Sequence, residues 1–169
     1  MHRTFEITGP VELDVRLTSG LVDVETTDEP GRVELELIAH DEESQALVDS
    51  TRVELQDHHG RPQLLVDVPQ RRGSGFNLGF FFGRQGVTCR IRTPHGSPLS
   101  VRTKSADVEA RGTLGGLSVA TASGDVMVQR VDGIHADHAP TVSVVAGTVG
   151  GHGEDHLRHG RDDQRVDRG

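Results

Sequence analysis

LSVATASGDVMV, residues 117–128, repeats almost phrase for phrase LSVRTKSADVEA, residues 99–110. At one constant offset, Leu99, Val101, Thr103, Ser105, Asp107, Val108 and Ala110 are matched by Leu117, Val119, Thr121, Ser123, Asp125, Val126 and Val128. In each copy Leu, Val and Thr alternate, SAD or SGD turns the chain, a second apolar pair alternates again, and a glycine turn such as GTLGG (residues 112–116) follows. Two strands of three or four residues remove too little surface from water to offset the entropy of ordering them. Stacked copies escape this limit. Laid one above another at the inter-strand spacing of about 4.8 Å, they place Val on Val inside and Thr on Thr or Ser on Ser at the corners. The duplication therefore predicts an all-β fold, a β-solenoid or flattened two-sheet β-roll with rungs of about 18 residues.

Weaker copies extend the pattern. VRLTSGLVDV (residues 15–24) has Ser19, Val22 and Val24 where the later copy has Ser123, Val126 and Val128. IHADHAPTVSVVAG (residues 134–147) reads as a further copy with an altered turn, Val142 and Val144 falling in its second strand. A recurring phrase V-x-T-x-S-G-D-V-x-V stands here as VATASGDVMV and, less perfectly, as VRTKSADVEA. In this the chain resembles the bacterial "putative-adhesin" β-strand-repeat family, whose layout it follows over residues 11–151 and whose specific phrases it carries over residues 99–133. The resemblance implies an all-β repeat fold and a surface-binding role, and it brings no catalytic residues with it.

The N-terminal half alternates with period two in VELDVRL (11–17), LVDVET (21–26) and RVELELIA (32–39), each predicting a strand with one buried face. TSG (18–20) and DEPG (28–31) carry residues that take turn dihedrals cheaply, so both are expected to make hairpin-like connections. DEESQALVDSTRV (41–53) departs from the pattern. Its acidic start suits a helix N-terminus, predicting one short helix near residues 41–51 with Ala46, Leu47 and Thr51 on one side. Strands resume at residues 53–56 and 63–68 around the turn DHHGRP (57–62).

Length and composition bound the rest. A chain of 169 residues suits one domain, here expected over residues 1–150, with a solvated tail at 151–169. Only 33% of residues are apolar and 21 are glycine, with neither Trp nor Tyr, so thin layers fit better than a thick core. A net charge of −8 argues against nucleic acid, which needs a basic stripe to displace counterions from phosphates. The N-terminus shows no basic region followed by an apolar one, and no apolar run is long enough to span a bilayer, so a cytoplasmic location without membrane insertion is expected. Cys89 alternates with Val87 and Ile91 and reads as a small buried hydrophobe.

Candidate functional residues are few. The segment RRGSGFNLGFFFGRQG (71–86) holds four of the five phenylalanines, Phe76, Phe80, Phe81 and Phe82. Either they cover a core edge, or they form a docking loop, because three consecutive aromatics on a strand cannot all point inward. At the repeat turn, Ser105, Asp107, Ser123 and Asp125 would stack; they are either a cation or carbohydrate edge or turn residues bonding nearby backbone N–H groups. Polysaccharide chemistry would need an acid beside a base, for which Arg102 with Asp107, or Glu109 with Arg111, are the candidates. The tail carries His152, His156 and His159, open to three readings: metal ligands, solvated side chains, or a stretch translated out of its ancestral frame. No phosphate-binding loop, nucleophile elbow or zinc-protease motif occurs. The sequence thus points to a non-catalytic interaction or structural module without cofactor or metal, binding a protein partner or itself, with a carbohydrate-binding or polysaccharide-acting β-helix as the alternative.

Overall fold

The computed structural model describes residues 1–70, 86–131 and 142–146, the last group at the level of the backbone. These residues form ten strands and one helix: β1 (His2–Glu6), β2 (Glu12–Thr27), β3 (Arg32–Ala39), α1 (Glu42–Asp49), β4 (Arg52–His58), β5 (Arg61–Asp67), β6 (Val87–Pro94), β7 (Pro98–Leu114), β8 (Gly116–Thr121), β9 (Val126–Val131) and β10 (Val142–Ala146). All ten strands belong to one sheet, with the path β1-β3-β6-β2-β7-β8-β10 and with β4, β5 and β9 joined to it laterally.

The two copies lie side by side, parallel and in register. Leu99 pairs with Leu117 and Val101 with Val119 across β7 and β8, while Val108 pairs with Val126 and Ala110 with Val128 across β7 and β9. The weak early copy takes its place on the other side of β7: Leu13 faces Leu99, Val15 faces Val101, Ser19 faces Ser105 and Val22 faces Val108. β5 continues the first half of β2, with Leu64 beside Leu13 and Val66 beside Val15. β6 continues the second half, with Cys89 beside Val22 and Ile91 beside Val24. Like thus stands on like in apolar columns crossing the sheet. Leu13, Val15, Val22, Val24, Val108 and Ile91 are wholly buried.

TSG is a corner and not a hairpin. Both halves of β2 run parallel to the same strand, β7, in continuous register, which a reversal at Thr18–Gly20 would forbid. What changes at the corner is the phase of the alternation. Leu13, Val15 and Leu17 are buried before it and Val22 and Val24 after it, so the inward positions pass from odd to even numbers. Gly20 absorbs the shift at φ +125°, a conformation that side chains with a Cβ rarely take, and its missing Cβ leaves room for the backbone of Val87. β7 makes the same change between Val101 and Ala106. Both long strands bend at the same level, and the sheet curls into a nearly closed, barrel-like form around its core.

DEPG does not close a hairpin either, because β6 lies between β2 and β3, antiparallel to the latter. The turn at residues 57–62 is a hairpin as expected. β4 and β5 pair antiparallel up to His58 and Arg61, and His59 and Gly60 both take positive φ, 55° and 78°, as a type I′ turn requires. The helix begins at the expected place. Asp41 caps it by accepting the Ser44 N–H at 2.6 Å, while the Ser44 hydroxyl accepts the Asp41 N–H at 3.0 Å. Its buried face is Ser44 and Val48, with Leu47 packed beside them; Ala46 is exposed, contrary to the expected face. β10 also departs from expectation. Val142 and Val144 face Leu117 and Val119, so they occupy the first strand of a copy and not the second.

Candidate functional site

The repeat turn comes together as a row at the corner of the sheet. Ser105 lies beside Ser19, and Ser123 donates its backbone N–H to Lys104 O at 2.8 Å. Threonines fix the bend. Thr103 Oγ1 accepts the Ala106 N–H at 2.8 Å, and Thr121 Oγ1 donates to Ser123 O at 2.9 Å. The Asp107 carboxylate accepts the Asp125 N–H at 3.0 Å, and Asp125 O in turn accepts the Val108 N–H at 2.8 Å. The acidic column stops there, because the neighbour of Asp107 on β2 is Leu21. Among the described residues no three His, Cys, Asp or Glu side chains gather where a metal ion could sit. The corner aspartates therefore tie one copy to the next through backbone N–H groups.

The charged pairs singled out by spacing are not brought together as expected. Arg102 sits beside Arg16 and Ala120 on the first half of the sheet, across the corner from Asp107. Arg111 turns away from Glu109 to Asp23, which also accepts from Arg90 Nε at 3.3 Å. Asp23 is the centre of a network that sequence reasoning missed. Its side chain is 7% exposed, flanked by two arginines that are about half exposed, and Arg90 reaches on to Glu36 at 3.1 Å. A second row, Glu34, Arg92 and Glu25, runs parallel to it, with Arg92 Nε 3.1 Å from Glu25. The signal was present in the outward positions of DVE, RIR and ELE, but it becomes legible only once β6 is known to lie between β2 and β3.

A hydroxyl, an imidazole and a carboxylate also line up at the far end of the second half. Thr26 Oγ1 lies 2.6 Å from His95 Nδ1, and His95 Nε2 lies 3.2 Å from Asp28. The order suggests a nucleophile and its base, yet Thr26 is buried, and its oxygen already accepts the Thr113 N–H at 2.7 Å. Gly112 packs directly over it, where a Cβ would collide with the hydroxyl. The trio ties the end of β2 to the turns that follow β2 and β6, and Gly112 and Thr113 near the end of β7 close over it. Cys89 is fully buried, and desolvation, helped by the Asp23 carboxylate, pushes its thiol up to about 12.

Phe76, Phe80, Phe81 and Phe82, together with His152, His156 and His159, lie outside the described residues. The flanks of the phenylalanine segment are described. Val68 donates its N–H to Arg16 O at 2.9 Å, and Gly86 packs against Ser19 and Gly20, so the segment is inserted where an uninterrupted strand would turn the same corner as β2. No described helix is long and apolar enough to cross a membrane.

No family model matches the chain. No curated protein matches it either. Among solved structures it is similar to a "putative cell adhesion protein" of Clostridium sporogenes, at a TM-score of 0.51 and 11% identity over 73% of this chain and 58% of that one. A "putative adhesin" of Parabacteroides distasonis is matched at 0.38 and 13% over 78% and 57%, and a "putative lipid binding protein" of the same organism at 0.30 and 13% over 78% and 67%. The chain spans less than two thirds of the length of the first two. The first likeness extends to the fold alone.

Proposed function

We propose that the protein is a non-catalytic β-repeat binding module of the adhesin type, its strands wound as a two-sheet β-roll with rungs of about 18 residues. In this reading β7 is one rung, β8 with β9 the next, β2 the one before, and β5 with β6 the one before that. Ser19, Ser105 and Ser123 mark the shared corner, and the segment carrying Phe76, Phe80, Phe81 and Phe82 supplies the contact for a protein partner. The observation that carries the reading is the arrangement of polar groups. The arginines and carboxylates of the outer face neutralise one another in rows around Asp23, and the corner aspartate holds backbone. Such a surface supports a stable scaffold whose specificity resides in its loop and its strand edges. The Clostridium sporogenes fold is consistent with that use.

The test compares the full chain with a Phe80→Ser, Phe81→Ser, Phe82→Ser variant in pulldowns from the native cell. Proteins retained by the parent and lost by the variant are the expected outcome. The competing reading, a carbohydrate-binding or polysaccharide-acting protein using Glu109 and the corner aspartates, predicts a signal on a glycan array or in a lyase assay. A signal in either, abolished by Asp107→Asn, would replace the first reading.

A further inference from the structure

We infer that β1, β3, α1 and β4 form a stop at one end of the roll, a rung laid in reverse with a charge set into each of its outermost apolar rows, so that no second molecule adds there. The inference rests on the roll reading and deepens it, because it removes β1 and β4 from the strand edges open to a partner. Direction is the first support. β5 and β6 run parallel to β2, as every later copy does. β3 and β4 lie outside them and run the other way, with Leu37 opposite Cys89 and Leu55 opposite Leu64.

Followed along the chain, β3 reaches the corner where Ala39 stands opposite Val87, and β4 leaves it where Arg52 stands opposite Asp67. Between them α1 replaces the corner. β3, α1 and β4 are therefore one rung traced backwards, and the parallel stacking of like on like ends at it. β2 rounds the same corner within Thr18–Gly20, whereas this rung spends a helix there. The helix packs on β3 and β6, and its Val48, 1% exposed, belongs to the common core.

The second support is the placement of charge. On the core side of β1, Phe5 stands opposite Val33 and Arg3 opposite Leu35, with Met1 next in the row. On the core side of β4, Val53, Leu55 and Asp57 stand opposite Val66, Leu64 and Pro62. Arg3 and Asp57 thus occupy positions where the neighbouring strands carry apolar residues. β1 is exposed at every residue but Phe5, and β4 is exposed from Leu55 to His58. A charge in the core-side row of an outermost strand is a means of blunting it against strand addition. An antiparallel pair of β1 strands centred on Arg3 would set the two guanidinium groups opposite each other. Centred on Thr4, it would set each against Phe5 of the other copy. A pair of β4 strands centred on Leu55, itself 38% exposed, would set Val53 against Asp57. Every one of these registers places a charge inside an apolar row.

The test is a gain of association. Arg3→Val in the full chain makes the row Met1, residue 3 and Phe5 continuously apolar at an exposed position. Light scattering over a dilution series is expected to show a mean mass above that of the parent, with association strengthened by at least about tenfold and the far-ultraviolet circular dichroism unchanged. Arg3→Thr, an uncharged residue that also suits a strand, is expected to shift in the same direction. Arg3→Glu, which keeps a charge in the row, is expected to match the parent. Folded Arg3→Val and Arg3→Thr proteins with the mass of the parent at every concentration would overturn the inference, as would an Arg3→Glu protein that associates as strongly as Arg3→Val. If the first of these results comes with partners still retained through Phe80, Phe81 and Phe82, the stop falls and the binding module stands. Association of Arg3→Val in a protein that retains no such partners supports the stop and removes the binding module.

Discussion

Asp23 shows how a single carboxylate can organise an outer sheet face. It is nearly buried, and both arginines that approach it bring half-exposed stems to cover the surface around it. Asp23→Ala leaves Arg90 and Arg111 without their shared acceptor and is expected to cost about 1–3 kcal/mol in denaturant unfolding. Gly20→Ala tests the corner. The new Cβ must enter a left-handed conformation against the Val87 backbone, and the expected loss is about 1–3 kcal/mol with no change in the assembly state. Burial, helped by the Asp23 carboxylate, pushes the Cys89 thiol up to about 12, so the native protein is expected to resist thiol reagents at mildly alkaline pH and to react fully once unfolded. A fast reaction of the folded protein would contradict its placement. Cys89 was legible in the sequence because alternation within one strand is a local signal. The partners of Asp23 were not, since Arg90 and Arg111 are brought to it by pairings across 67 and 88 residues.

At the level of elements, the helix and the β4–β5 hairpin were readable because their determinants are contiguous: a cap with its reciprocal serine, and a two-residue turn ending in glycine. The corner at Thr18–Gly20 was misread because Ser and Gly suit a hairpin turn and a bend equally well. The distinguishing sign is the shift of inward positions from odd to even, which a hairpin does not need and a strand turning around one core does. The helix cap carries a pH dependence whose sign follows from its geometry. Hydrogen bonds from the Ser44 N–H and hydroxyl hold Asp41 below its ordinary value of 3.8. Its contribution is therefore complete above that value and is lost as the pH falls through the lower, folded-state value. Asp41→Ala is expected to lower the melting temperature at neutral pH, and the gap between variant and parent should close below about pH 4. A gap that persists in acid would assign the capping effect to something other than the ionised carboxylate.

For the whole molecule, the duplicated phrase was the most informative part of the sequence, since it foretold which side chains would stand beside which. Columns of this kind make the core continuous from β5 to β8, and Leu13, buried at the centre of one, is the position where a cavity would be most costly. Leu13→Ala is expected to destabilise by about 2–5 kcal/mol, against little change for Leu55→Ala, at a site that is 38% exposed. Equal losses at both sites would mean that the columns do not share one core. What local pattern could not supply was the order of the strands, because β6 enters between β2 and β3 from far along the chain.

That order sets a timetable for synthesis. β2 is flanked on both sides by strands made after it, and the partner of Leu13 on β7 is Leu99. A ribosome must therefore deliver most of the polypeptide before the central strand is enclosed, and until then two rows of apolar side chains have only early neighbours to shield them. Slow acquisition of structure and a need for chaperone protection of nascent chains follow from placing an early segment at the centre of a late-finished sheet.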